Sequence, residues 1–255
     1  MQVRTQGFSG RLQSFGRGAD LLITFAITWI IPYLAVFCAN LLKPIVRRVD
    51  PEDVYLWISI HHAVQLALTL VLMKLVSRGE LSLWGFNLHE WRRSLRIFGW
   101  FCLIYLIPVV YFNVVPDLAS GTPPRYGYRL TAGNIVGILG FQLLGSGTCE
   151  EPLFRGFVMT FLARSWKGTL RFGSLHFPIA GLWAALFFMA AHVEVHLSPF
   201  SLHASMPQLL LALGLGLYYA AVYARTGSLL TAILSHGYSN GVLFAILFTW
   251  TWLAS

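Results

Sequence analysis

An all-α, polytopic transmembrane bundle is the fold class that three features of the sequence predict. Only 11% of the 255 residues are charged, where a soluble domain carries about 25%. The mean hydropathy is +0.66. Apolar stretches close to the spanning length of about 20 residues recur along the whole chain. Inside hydrocarbon every backbone polar group needs an internal partner, so such stretches are expected to be helices. They leave no room for a separate soluble domain of ordinary size, and residues 1–255 are expected to form a single membrane domain.

The apolar pattern places spanning segments near 21–42, 54–76, 97–115, 132–165, 175–193, 207–224 and 227–252. The first follows an arm that holds Arg4, Arg11 and Arg17. Its apolar run is too long for a signal-peptide core and lacks a clear cleavage site, so it reads as a retained helix. Between the second and third segments, Leu81–Ile97 mixes Leu, Trp and Phe with Glu90, Arg92, Arg93 and Arg96. That is the pattern of an amphipathic element lying along the membrane interface. Pro123-Pro124 marks the loop before the fourth segment. At 1.5 Å per residue the fourth segment would reach about 50 Å. It is therefore either bent, with an end past the membrane, or broken at Gly145-Ser146-Gly147. The expected bundle has seven crossings, or eight if that segment is broken.

With seven crossings, twelve lysines and arginines fall on the side of the N-terminal arm and the loops near 77–96, 166–174 and 225. Lys43, Arg47, Arg48, Arg125 and Arg129 fall on the other. The positive-inside rule then puts the N-terminus in the cytoplasm. The same scatter of basic residues between helices argues against a nucleic-acid partner, despite a net charge of +8. Cys38, Cys102 and Cys149 lie in apolar segments with no CxxC spacing, which predicts neither a disulfide framework nor a cysteine zinc site.

Within the fourth segment stand two adjacent acids, Glu150 and Glu151, with Arg155 four residues on. A carboxylate at the bilayer centre costs about 2.5–3.5 kcal/mol even on the most lenient scale, so both are expected to face a protein interior or a water-filled cavity. Residues i and i+4 share a helix face, so Glu151 can pair with Arg155. Glu150 is turned about 100° away. The expected division is that Glu151 and Arg155 neutralise each other while Glu150 is left free for chemistry. Pro152 predicts a local start or kink. An ion-pair cluster kept for packing alone is the structural alternative, but buried ion pairs are weak stabilisers and a third, unpaired charge makes them weaker.

Two further polar clusters sit in apolar helices. Phe188 and His192 are i and i+4, so an aromatic ring can pack on the imidazole's own face. His196 stands four residues beyond His192 with Glu194 between, a spacing that permits two metal ligands on one face but is not HExxH. His236 and Asn240 lie one turn apart, and Gly237 between them permits close helix approach. A carboxylate base, two imidazoles and an amide are sufficient for hydrolysis. His61 and His62 have no acidic neighbour in sequence and read as structural or interfacial.

Taken in order, Glu150-Glu151-Pro-Leu-Phe-Arg155, Phe188-Met-Ala-Ala-His192 and His236-Gly-Tyr-Ser-Asn240 resemble the three motifs of the CPBP intramembrane proteases. These are the CAAX proteases and bacteriocin-processing enzymes, also called the Abi family. The resemblance covers roughly residues 130–245. It implies helices around an intramembrane active-site cavity and hydrolysis of a peptide bond in a membrane-anchored or hydrophobic substrate, by CAAX-type or sorting-signal and bacteriocin-type processing. It implies Glu150 as the general base assisted by His192, with His236 and Asn240 completing the site and Glu151, Arg155 and Phe188 supporting it. No metal is assigned: Glu150, His192, His236 and Asn240 would ligate Zn²⁺ if one is bound, and equally serve a metal-free mechanism. The chain's size points to a bacterial or archaeal inner membrane. The alternative from another class is a non-enzymatic transporter, or an immunity or scaffold protein, that keeps the cluster for ligand binding. The lack of a repeated half weighs against the transporter.

Overall fold

The computed structural model describes residues 14–113, 115–121, 125–173, 175–197 and 200–254; Arg4, Arg11 and the Pro123-Pro124 turn lie outside them. The chain runs through α1 (Arg17–Val49), α2 (Leu56–Ser77), α3 (Trp91–Asn113) and the short α4 (Val115–Ser120). A single helix from 132 to 162 follows. It is made of α5 (Ala132–Gly140), α6 (Gly147–Glu151) and α7 (Thr160–Leu162), joined by π-helical turns at Phe141–Ser146 and Pro152–Met159. Then come the hairpin β1 (Thr169–Phe172) and β2 (Leu175–Pro178), α8 (Ile179–Ala190), and the hairpin β3 (Glu194–Leu197) and β4 (Phe200–His203). The helices α9 (Met206–Thr226) and α10 (Leu230–Ala254) close the bundle. Among the described residues five helices, α1, α2, α3, α9 and α10, are each long and apolar enough to cross a membrane. The fold is an all-α membrane bundle with two small hairpins at its ends.

The structure decides between the alternatives for the fourth segment and shortens the fifth. The fourth is not broken at its glycines. Ser146 (φ −56°, ψ −59°) and Gly147 (φ −64°, ψ −40°) are helical, and the wider winding of two π turns carries the helix through. The fifth is shorter than 175–193. Pro178 holds an extended backbone (φ −64°, ψ 135°), and Leu175–Pro178 pairs with Thr169–Phe172 in β1–β2, so only Ile179–Ala190 is helical. Its length of about 18 Å falls short of a hydrocarbon core of about 30 Å. Hydropathy registers apolar residues whether they lie on a strand or a helix, which is why the run looked like a crossing.

The stretch after α2 is also only partly interfacial. Leu81–Trp84 forms a 3₁₀ turn that inserts Trp84, fully buried, with its ring stacked 5.4 Å from Phe157. Gly85 follows at φ +90°, where a Cβ would collide with the Tyr223 ring. The second half, from Trp91, is the start of α3.

Helix faces are sorted as a bilayer requires. Lipid tails are as apolar as leucine, so interfaces between helices favour small and hydrogen-bonding residues. The buried stripe of α1 is Asp20, Thr24, Thr28, Ile31, Ala35, Ala39 and Val46, while Phe25, Ile30, Phe37 and Leu41 face outward. In α2 the buried stripe is His62, Gln65, Thr69, Met73 and Ser77. The loops sort into two sides. Arg17 Nε donates to the Ser165 carbonyl at 3.3 Å, and Asn87 donates to the Gly227 carbonyl at 2.9 Å. On the other side Arg129 pairs with Glu52, and Asn134 donates to the same carboxylate at 3.0 Å.

Candidate active site

Two glycines set the position of the acidic pair. The 132–162 helix crosses α10 where a Cβ on Gly147 would stand 2.5 Å from the Ile233 carbonyl oxygen, and a Cβ on Gly237 would fall on the Leu143 carbonyl. Only backbone-to-backbone contact fits there, the close approach expected of small residues in membrane interfaces. The crossing brings Glu151 within hydrogen-bond reach of His236. The acids stand in α6 between the two π turns, a local winding often found at functional sites.

Glu151 faces α9 and α10 and is fully buried. Its Oε1 accepts from Arg155 Nη1 at 3.0 Å and lies 2.7 Å from His236 Nδ1. The pairing with Arg155 follows the i, i+4 expectation. Arg155 also donates from Nη2 to the Gly216 carbonyl at 3.0 Å, and its guanidinium lies 4.5 Å from the Phe188 ring and 5.1 Å from that of Tyr219. His236 stacks on Tyr219 at 5.2 Å and 13°. The Nδ1 of His236 is committed to Glu151.

Glu150 is turned the other way, toward α2, with 18% of its side chain exposed. It is not free. Its Oε1 lies 2.8 Å from His62 Nε2. This corrects the expectation that His62 has no acidic neighbour: the neighbour is 88 residues away in sequence. Coulombic interaction with His236, His62 and His192 all reaches Glu150.

His192 follows the end of α8, its Nδ1 2.8 Å from the Phe188 carbonyl oxygen. A carbonyl only accepts, so Nδ1 carries the proton and Nε2 is the free acceptor of the neutral ring. The Phe188 ring lies edge-on between two imidazoles, 4.9 Å from His192 and 5.6 Å from His236. Asn240 donates from Nδ2 to Ser146 Oγ at 3.2 Å, and Ser146 donates in turn to the Gln142 carbonyl at 2.8 Å. The chain after His192 turns into β3, so His192 and His196 share no helix face; His196 lies in register with Ser201 of β4. Among the described residues no group of three or more His, Cys, Asp or Glu is placed to hold a metal ion.

His62, Ser146 and Tyr219 were missed as site residues. The signal for His62 was in the sequence: His62, Gln65, Thr69, Met73 and Ser77 recur every three or four residues along an otherwise apolar helix.

No curated protein and no solved structure matches the chain. Residues 132–242 match the family model described as type II CAAX prenyl endopeptidase Rce1-like, a stretch that runs from the start of α5 past Asn240 and holds all three motifs. The chain is thus an integral membrane protein whose residues 132–242 are similar to the Rce1-like type II CAAX prenyl endopeptidases, a protease family.

Proposed function

We propose that the chain is a CAAX-type intramembrane endopeptidase in which Glu150 is the general base. One observation carries the assignment. Of the two acids, Glu151 is fully buried and shared between Arg155 and His236, whereas Glu150 keeps an exposed edge beside the imidazoles. Glu150 takes a proton from water as the water oxygen attacks the scissile carbonyl carbon. The new C–O bond leaves negative charge on the carbonyl oxygen. Asn240, with one amide N–H on Ser146 and a second to give, and His236 complete the site around that oxyanion. His192 Nε2 accepts from the water and orients it. Collapse of the intermediate breaks the C–N bond, and the departing amine leaves with the proton held by Glu150. The bilayer presents the membrane-anchored substrate, and the family match favours this protease over a transporter or scaffold. The distribution of basic residues supports a cytoplasmic N-terminus.

The test is cleavage of a prenylated CAAX peptide in proteoliposomes. Glu150→Gln and His192→Ala are each expected to lower turnover by about 10²–10⁴-fold while the protein still inserts and purifies normally. Wild-type turnover by Glu150→Gln would sink the assignment. Activity that persists in chelator, with no stoichiometric zinc in the purified protein, is expected; loss in chelator with recovery on adding Zn²⁺ would overturn the metal-independent route.

A further inference from the structure

His62 lies in α2, outside the segment that matches the family, yet it makes the one hydrogen bond described for the Glu150 carboxylate. We propose that His62 is a positioning residue for the Glu150 base: it holds Oε1 so that Oε2 is the oxygen presented to water. This role rests on the endopeptidase function proposed above.

The imidazole is fixed on every side. Its Nδ1 lies 2.9 Å from the Ile58 carbonyl oxygen, one turn earlier in α2, and 3.1 Å from His61 Nδ1. The Phe141 ring packs edge-on at 4.8 Å and the His61 ring at 4.7 Å, and His61 is itself stacked on Trp57. One turn along α2, Gln65 donates to the Cys149 carbonyl at 3.4 Å, tying the same two helices together beside Glu150. Phe141 stands in the first π turn, so the winding that carries the helix past its glycines also supplies a wall for this ring.

Hydrogen-bond accounting gives the contact its meaning. The Ile58 carbonyl can only accept, so Nδ1 donates to it. Nε2 and Glu150 Oε1 then face each other at 2.8 Å, and two lone pairs do not hold that distance without a proton between them. With the proton on nitrogen the contact is an ion pair, and with the proton on oxygen it joins two neutral groups. In both cases Oε1 is occupied. In the ion-paired form the lone pairs of Oε2 remain for catalysis, and the orientation of the carboxylate is fixed. Without the imidazole Glu150 is free to rotate, and a misplacement of about 1 Å costs a catalytic group on the order of 10² in rate.

The experiment compares His62→Gln with His62→Asn in the proteoliposome assay. A glutamine amide nitrogen reaches the position of Nε2, whereas that of asparagine reaches only the position of Nδ1. We expect His62→Gln to keep kcat within about tenfold of wild type and His62→Asn to lose about 10²-fold, with KM unchanged in both. Both variants are expected to match wild type in thermal stability in detergent. Equal kcat for the two variants, or a loss confined to KM, overturns the positioning role; so does a His62→Asn loss that tracks its melting temperature. Glu150→Gln separates the two levels. If it is inactive while His62→Asn turns over at the wild-type rate, only the role of His62 falls. If Glu150→Gln itself cleaves at the wild-type rate, the endopeptidase assignment falls with it.

Discussion

Glu151 serves two partners through one oxygen. Arg155 and His236 both meet Oε1, while Oε2 and Arg155 Nε are buried with no hydrogen-bond partner among the described residues. A partly satisfied network in a low-dielectric interior has little tolerance for losing a member. Arg155→Met is therefore expected to cost about 3–5 kcal/mol, because it strands a buried carboxylate. Arg155→Lys should not recover the loss, since a single ammonium does not replace a planar fork that reaches both Glu151 and the Gly216 carbonyl. Melting of both variants in detergent checks this, and a wild-type melting temperature for Arg155→Met would contradict it. The Glu151–Arg155 contact was legible in the sequence because i, i+4 geometry is local. The partners of Glu150 were not. Helical phase shows that Glu150 points away from Glu151, but which helix it meets is set by the packing of α2, 88 residues upstream.

At the scale of elements, the crossing of the 132–162 helix with α10 decides whether the polar clusters meet at all. Gly237→Ala puts a methyl group onto the Leu143 carbonyl, so the helices must separate. The expected result is a loss of about 1–3 kcal/mol together with most of the activity. Gly140 provides the control in the 132–162 helix, on the other side of that crossing. It is helical at φ −59° and nothing lies near its missing Cβ, so Gly140→Ala should be neutral or stabilise by up to about 1 kcal/mol. Equal behaviour of the two variants, read by melting and by turnover, would show that the crossing is not tight. Gly237 was visible as a packing glycine because it separates two polar residues in an apolar helix. The π turns and the shortened α8 were not visible. Both arise from backbone pairing that residue type barely encodes, and an apolar run such as Leu175–Ala190 has the same hydropathy on a strand as on a helix.

The whole molecule is organised by side. Basic residues that the sequence assigned to opposite faces do meet separate loop clusters, Arg17 with Ser165 on one and Arg129 with Glu52 on the other. In the second cluster the side-chain hydrogen bond from Arg129, with that of its backbone N–H, holds the partly exposed Glu52 carboxyl below its usual range. A carboxyl depressed in the folded state stabilises above its ordinary titration range and loses that contribution as pH falls through the lowered one. The gap in melting temperature between wild type and Glu52→Gln should thus be open at about pH 7 and narrow as pH falls below about 4. A gap unchanged between those conditions would show that the clasp contributes nothing. The truncated α8 has a wider consequence. It departs from the Arg17 side, where Ile179 donates to the Gly168 carbonyl, and it ends at Ala190, two residues before His192. From there the chain continues as the two-stranded ribbon β3–β4, with Glu194 in register with His203 and Leu197 with Phe200. The missing length of helix thereby sets the depth of His192, which stands just past the point where a rise of about 18 Å from Ile179 stops, beside Phe188 and short of a full crossing of about 30 Å.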